Sequence, residues 1–168
     1  MPKIIENLQE QFIEEARRQI ARVGYGAMTI RSIASECGVG TGTVYNYFAS
    51  KEQLVAHFML EDWRACLSGV CEKMEAAACA QEAFSAMYAG LRTYIDEHRA
   101  IFTDEAAAMG FSGSFGRYHA LLRSQLAAPV LRFCPDAFTA DFIAEAMLVW
   151  TVNEKPFEEI NRLVSRLL

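Results

Sequence analysis

Residues 38–54 read GVGTGTVYNYFASKEQL, a run that opens as a turn and closes as the start of a helix. Gly38-Val39-Gly40-Thr41 is a glycine-containing turn, and the spacing predicts a short helix from Thr41 or Gly42 to Phe48. Val44 and Phe48, four apart, form its inner side. Thr41, Thr43, Tyr45, Asn46 and Tyr47 then spread over the outer surface, more hydrogen-bonding tips than a core accepts unpaired. A partner outside the fold is expected to touch them.

The flanks support the same reading. Upstream, Ile4, Leu8, Phe12, Ala16, Ile20 and Val23 recur at four and three, one face of an amphipathic helix that Gly24-Tyr25-Gly26 ends. Thr29 is an N-cap for a short helix with Ile30, Ile33 and Ala34 inside, closed by Gly38. Downstream, Ser50-Lys51-Glu52-Gln53 is a capping box that starts a new helix carrying Leu54, Phe58, Leu60, Trp63 and Leu67. Two short helices joined by such a turn make a helix-turn-helix unit, whose second helix enters the major groove of DNA. Threonine and asparagine there suit base edges, and tyrosine hydroxyls suit phosphate. Gly42, lacking a side chain, lets the backbone come close to DNA. Lys51 and Thr29 stand at helix starts, where phosphate is favoured.

Charge is distributed in keeping with this. The 168 residues carry a net charge of −5. Residues 1–51 hold six basic and five acidic groups, whereas residues 52–168 hold ten and sixteen. Between 16 and 51, Arg17, Arg18, Arg22, Arg31 and Lys51 face only Glu36, so a local basic surface is expected on an acidic protein. Five cysteines (Cys37, Cys66, Cys71, Cys79, Cys134) lie in irregular spacing without a CxxC pair, and no stretch reads as a signal peptide. Reduced thiols in a cytoplasmic protein are the expectation, with no membrane span, because no apolar run reaches about 18 residues.

Beyond residue 75 helical patterns fall at 81–97, 99–109, 115–133, 137–152 and 156–168, with breaks at 110–116, at Pro135-Asp136 and before Pro156. No alternating strand pattern occurs. The expected architecture is all-α: a helix-turn-helix domain over 1–50 and a larger helical body over 51–168. Catalysis and cofactors are not expected. His57, His98 and His119 lack the Glu-x-x-His spacing of a di-iron bundle, and neither HExxH nor a phosphate-binding loop is present.

The stretch 27–54, AMTIRSIASECGVGTGTVYNYFASKEQL, resembles the DNA-binding region of the TetR family of bacterial transcription regulators. The residues that carry the resemblance are Thr29, Ile33-Ala34, Gly38-Val39, Gly42-Thr43-Val44-Tyr45, Tyr47-Phe48 and Ser50-Lys51-Glu52, with Gly24-Tyr25 upstream. Many members have serine and lysine where this chain has Gly40 and Thr41, and the chain is short for the family. The resemblance implies a double-stranded operator, a homodimer, and a small-molecule effector enclosed by the body whose binding relieves repression. It places DNA contacts at Thr29, Arg31, Thr41, Gly42, Thr43, Tyr45, Asn46, Tyr47 and Lys51.

The body offers matching material. Trp63, Phe84, Met87, Tyr88, Leu91, Tyr94, Phe102, Met109, Phe111, Tyr118 and Leu122 supply apolar and aromatic walls with occasional hydroxyls, suited to an apolar effector. Phe138, Phe142, Met147 and Trp150, with Phe157, Ile160, Leu163 and Leu167, give the last two helices more large side chains than one body should cover, which points to a dimer interface. Two rival readings stay open at this stage: a thiol-based redox sensor on the same scaffold, and a helical dimer that does not bind DNA.

Overall fold

The computed structural model describes residues 7–168, Phe115 by its backbone alone. Ile4, expected on the first helix, lies outside the described residues. The chain forms α1 (Leu8–Val23), α2 (Ile30–Glu36), α3 (Thr41–Tyr45), α4 (Lys51–Ala76), α5 (Ala80–Glu97), α6 (Arg99–Phe102), α7 (Glu105–Phe111), α8 (Phe115–Val130), a 3-10 turn (Leu131–Phe133), α9 (Ala137–Val152) and α10 (Phe157–Val164). The described residues contain no strand, as the sequence pattern predicts.

Two compact units divide the chain. One comprises the chain up to Glu61 together with His98–Ser112; the other is Asp62–Glu97 with Gly113–Leu168. The N-terminal unit is therefore larger than the 1–50 expected from sequence. Its core joins Phe12, Ala16 and Ile20 of α1 to Ile33, Val44 and Phe48, and then to Leu54, Val55 and Phe58 of α4. Ile101 and Ala107 close the same core, which draws α6 and α7 into this unit. The helix expected at 99–109 is in fact two, because Asp104 takes an extended backbone and its side chain accepts from the N–H groups of Ala106 and Ala107. Asp followed by Glu105 and an apolar run carried that N-cap signal in the sequence.

The second unit is a bundle of the rest of α4 with α5, α8, α9 and α10. Its core holds Trp63, Met74, Phe84, Met87, Leu91, Tyr94, Leu126, Ile143, Met147 and Ile160. Met147 and Ile160, expected at a dimer interface, are each only 1% exposed and belong to this core. Phe138, Phe142, Trp150, Leu163 and Leu167 of the same expectation are exposed, and Phe157 is half-buried with its ring against Tyr88. Arg132 donates from one guanidinium nitrogen to the carbonyls of Met74 and Glu75, satisfying acceptors at the end of α4.

Helices α4 and α5 come unusually close at Gly90, where an added Cβ would lie 2.4 Å from Cγ2 of Val70. Valine is stiff at χ1, so the helices themselves would have to part. Gly90→Ala should therefore destabilise the protein, overpacking of about 1–3 kcal/mol outweighing the roughly 1 kcal/mol that alanine gains in helix preference. A lower denaturant midpoint with helical content retained is the expected outcome.

Candidate nucleic-acid interface

The site is built from α2, the turn and α3. Thr29 caps α2: its hydroxyl accepts from the Ser32 N–H at 3.0 Å, and its own N–H donates to Ser32 Oγ at 3.1 Å. The turn closes with Gly38 at φ +68°, a conformation that glycine adopts without strain. Gly40 precedes α3 and Gly42 lies within it, and a Cβ at either would meet nothing within 4 Å. Internal packing thus gives no reason for glycine at 40 or 42; an approaching partner would.

Helix α3 is shorter than the expected 41–48. Its regular part stops at Tyr45, and the N–H groups of Tyr47 and Phe48 both reach the Val44 carbonyl at 3.0 Å in a closing turn. Val44 and Phe48 face the core, as expected. Thr41, Gly42, Tyr45, Asn46 and Tyr47 are exposed and Thr43 is half-exposed. Tyr47 is anchored all the same, its ring edge-on to Phe12 at 5.6 Å between centroids. The capping box of α4 forms with a shift of one residue: Ser50 Oγ accepts from the Gln53 N–H at 3.2 Å, while Gln53 Oε1 accepts from the Ala49 N–H at 3.0 Å.

The basic residues divide into two groups. Arg31 and Arg22 are exposed; Arg17 lies over the Phe58 ring at 4.2 Å, and Arg18, itself exposed, pairs with the Glu15 carboxylate. Lys51, expected on a phosphate, turns inward. Its ammonium donates to the carbonyls of Tyr25 at 3.2 Å and Met28 at 3.3 Å and sits 4.2 Å over the Tyr25 ring. The loop before α2 has no regular pairing for those carbonyls, and Lys51 is the nearby donor that supplies it.

The same loop is held from two further sides. Tyr25 is fully buried and its hydroxyl donates to Glu52 Oε1 at 2.9 Å. Burial first, and that carboxylate second, push the Tyr25 phenol well above its ordinary range. Asp104 accepts from the Gly26 N–H at 3.0 Å, and this bond, with those from Ala107 and Ala106, holds its carboxyl below the usual carboxylate range.

Sequence reasoning passed over Glu15 and Gln19. Both are buried, on the stripe 12, 15, 16, 19, 20 that α1 turns inward. Polar residues at those steps were the available signal. The expected effector walls divide as well. Trp63, Phe84, Met87, Leu91 and Tyr94 pack together in the second unit's core, and Leu122 borders it. Tyr118 is half-buried, and Tyr88 donates to the Lys155 carbonyl at 2.9 Å. Phe102 and Met109 are exposed and belong to the N-terminal unit, where Phe111 packs on Tyr25, so these three do not line the second unit. The thiols of Cys37, Cys66, Cys71 and Cys134 are all pushed upward by burial, Cys66 to about 11, which disfavours the reactive thiolate. Among the described residues no group of three His, Cys, Asp or Glu side chains is placed to hold a metal, and no helix is long and apolar enough to cross a membrane.

An all-helical chain whose N-terminal unit presents α2, a glycine turn and α3 in this way is a helix-turn-helix protein. Residues 12–58 match the family model of bacterial regulatory proteins, tetR family, so this stretch is similar to that family's DNA-binding region. An uncharacterised HTH-type transcriptional regulator of Bacillus subtilis, YerO, is 45% identical over 47 residues, which are 28% of this chain and 16% of that protein. HbdR, an HTH-type transcriptional regulator of Aromatoleum, is 37% identical over 54 residues, 32% of this chain and 24% of the relative. The matched region thus spans a quarter or less of either relative's length. Solved structures agree in fold across both units. A transcriptional regulator of Streptomyces coelicolor, SCO7518, superposes with a TM-score of 0.66 at 17% identity, covering 95% of this chain and 96% of that one. The fatty acid degradation regulator FadR of Bacillus halodurans gives 0.56 at 18%, covering 93% of each chain.

Lys51→Met should test the inward role of that lysine. Two carbonyls would be left without their donor, at a cost of about 1–3 kcal/mol in chemical denaturation. A residue that served DNA alone would leave stability within about 0.5 kcal/mol.

Proposed function

We propose that the chain is a ligand-responsive transcriptional repressor that reads a palindromic operator as a homodimer and leaves it when a small apolar effector binds the second unit. The observation that carries this reading is the outer surface of α3, where exposed hydroxyl, amide and phenol groups alternate with a glycine that internal packing does not require. Thr43 and Asn46 are assigned to base edges, with Thr41 and Gly42 at close approach. Arg31, Tyr45 and Tyr47 are assigned to phosphates, with Thr29 beside them. Lys51 supports the loop instead of meeting the DNA directly.

The effector is assigned to the aromatic interior around Trp63, Phe84, Met87, Leu91 and Tyr94. Trp63 Nε1 donates to Gln125 Oε1 at 2.7 Å, so a polar group of the effector has an amide to meet in otherwise apolar surroundings. Since these side chains already touch one another, an entering molecule has to displace them. Its binding and operator binding are then reciprocally linked if they favour different helix arrangements.

Selection from a random-sequence duplex pool tests the DNA reading. The wild-type chain should enrich a palindrome. Thr43→Ala or Asn46→Ala should relax base preference by about 1–3 kcal/mol at the affected positions. Arg31→Ala should instead weaken binding to all sequences and lower the salt slope by about 1. Unchanged base preference in both of the first two variants would defeat the assignment.

The dimer is assigned to the exposed apolar side chains of α9 and α10, where Phe138 is 80%, Phe142 54%, Leu163 43% and Leu167 42% exposed. A two-fold pair supplies two recognition helices about 34–36 Å apart, matching half-sites one turn of DNA apart. Phe142→Glu should yield monomers with unchanged helical content and no palindrome preference. Sedimentation of the wild-type chain as a monomer at micromolar concentration with intact palindrome binding would overturn it.

A further inference from the structure

Two polar side chains are sealed into the interior side of α1: Glu15 is 4% and Gln19 2% exposed. They form one ordered chain of hydrogen bonds that ends at the cap of α2. Gln19 Nε2 donates to Glu15 Oε1 at 2.8 Å, and Gln19 Oε1 accepts from Ser32 Oγ at 2.6 Å. Ser32 Oγ also lies 2.8 Å from the Thr29 carbonyl, so its single proton has two acceptors within reach. The Thr29 hydroxyl donates to Ser32 Oγ at 3.1 Å and the Thr29 N–H reaches the same oxygen.

Each member sets the direction of the next. A carboxylate only accepts, so Glu15 turns the Gln19 amide nitrogen toward itself and the amide oxygen toward α2. The amide oxygen takes the Ser32 proton at the shorter distance. Ser32 Oγ is then left as an acceptor for both donors of Thr29. A buried polar chain of this kind costs stability unless every member is satisfied, a cost that apolar residues at both 15 and 19 would avoid. Its use lies in fixing α2, with Thr29 and Arg31 on it, against α1.

We propose that Gln19, oriented by Glu15, is a positioning residue for DNA binding: through Ser32 it sets how the start of α2 presents Thr29 and Arg31. This rests on the DNA-binding reading above. Gln19→Leu fills the same space without the relay, and Gln19→Glu restores it only when the introduced carboxyl is protonated, since that form donates to Glu15 and accepts from Ser32 as the amide does. Ionised, it repels Glu15. Among the described residues, Arg18 pairs with Glu15, and Cys37 lies close enough to feel its charge together with that of Glu36.

The probe is the duplex that the wild-type chain enriches from a random-sequence pool. Gln19→Leu should melt somewhat lower than wild type, because Glu15 Oε1 loses its amide donor, yet at a temperature where both are fully folded it should bind about tenfold more weakly with a flatter salt dependence. Gln19→Glu should bind poorly at about pH 8 and approach the wild-type affinity toward about pH 5, because a carboxyl beside a like charge holds its proton. Wild-type affinity and salt slope in Gln19→Leu would overturn the proposal, as would a loss of affinity in that variant that only tracks lost stability with the slope unchanged. So would a Gln19→Glu variant that follows wild type at every pH. A wild-type chain that enriches no duplex would instead remove the DNA-binding reading, and the positioning role with it.

Discussion

The loop between α1 and α2 is pinned by an ammonium whose charge is spent inside the protein. Lys51 holds the carbonyls of Tyr25 and Met28 while resting on the Tyr25 ring. A five-residue helix such as α3 has no stability of its own, since nucleation is unfavourable and only tertiary packing offsets it. Its position is inherited from Val44 and Phe48 seated in a core that α1, α2 and α4 build. That core is assembled in register only if the loop joining α1 to α2 runs one way. Glu52 under the Tyr25 hydroxyl and Asp104 on the Gly26 N–H hold the same loop from α4 and from the cap of α7.

This use of charge has a consequence for how the surface can recognise DNA. Three of the five basic side chains between residues 16 and 51 face partners in the protein: Arg17 on Phe58, Arg18 on Glu15, Lys51 on the loop. Arg22 and Arg31 are exposed, as are Arg18 despite its pairing and the side chains of Thr41, Tyr45, Asn46 and Tyr47. A surface of that make-up attracts DNA weakly without regard to sequence, and a net charge of −5 works further against it. Discrimination must then come from hydrogen-bond geometry, which explains why α2 needs accurate orientation and why a second half-site matters under the proposed function.

Helices α6 and α7 make the division of the chain instructive. They follow α5 in sequence, yet Ile101 and Ala107 complete the core under α1 and α4. The chain therefore passes from one unit to the other at three places: within α4, after Glu97 and after Ser112.

The local grammar of the chain was legible without a structure. Thr29 and Ser50 as caps, the glycine turn at 38–40, Val44 and Phe48 as the inner pair, and the limits of Ala137–Val152 all follow from residue type and periodicity, which act over a few residues. What periodicity cannot do is say which neighbour a face meets. It put Met147 and Phe138 on one apolar helix but not on opposite sides of the question, one inside a core and one 80% exposed. It placed Lys51 at a helix start, where a phosphate or a loop carbonyl would serve equally. Only the fold brought Tyr25 and Met28 within reach, and only the fold turned Glu15 and Gln19 inward toward Ser32, because hydrogen-bond partners far apart in sequence are chosen by distance in three dimensions.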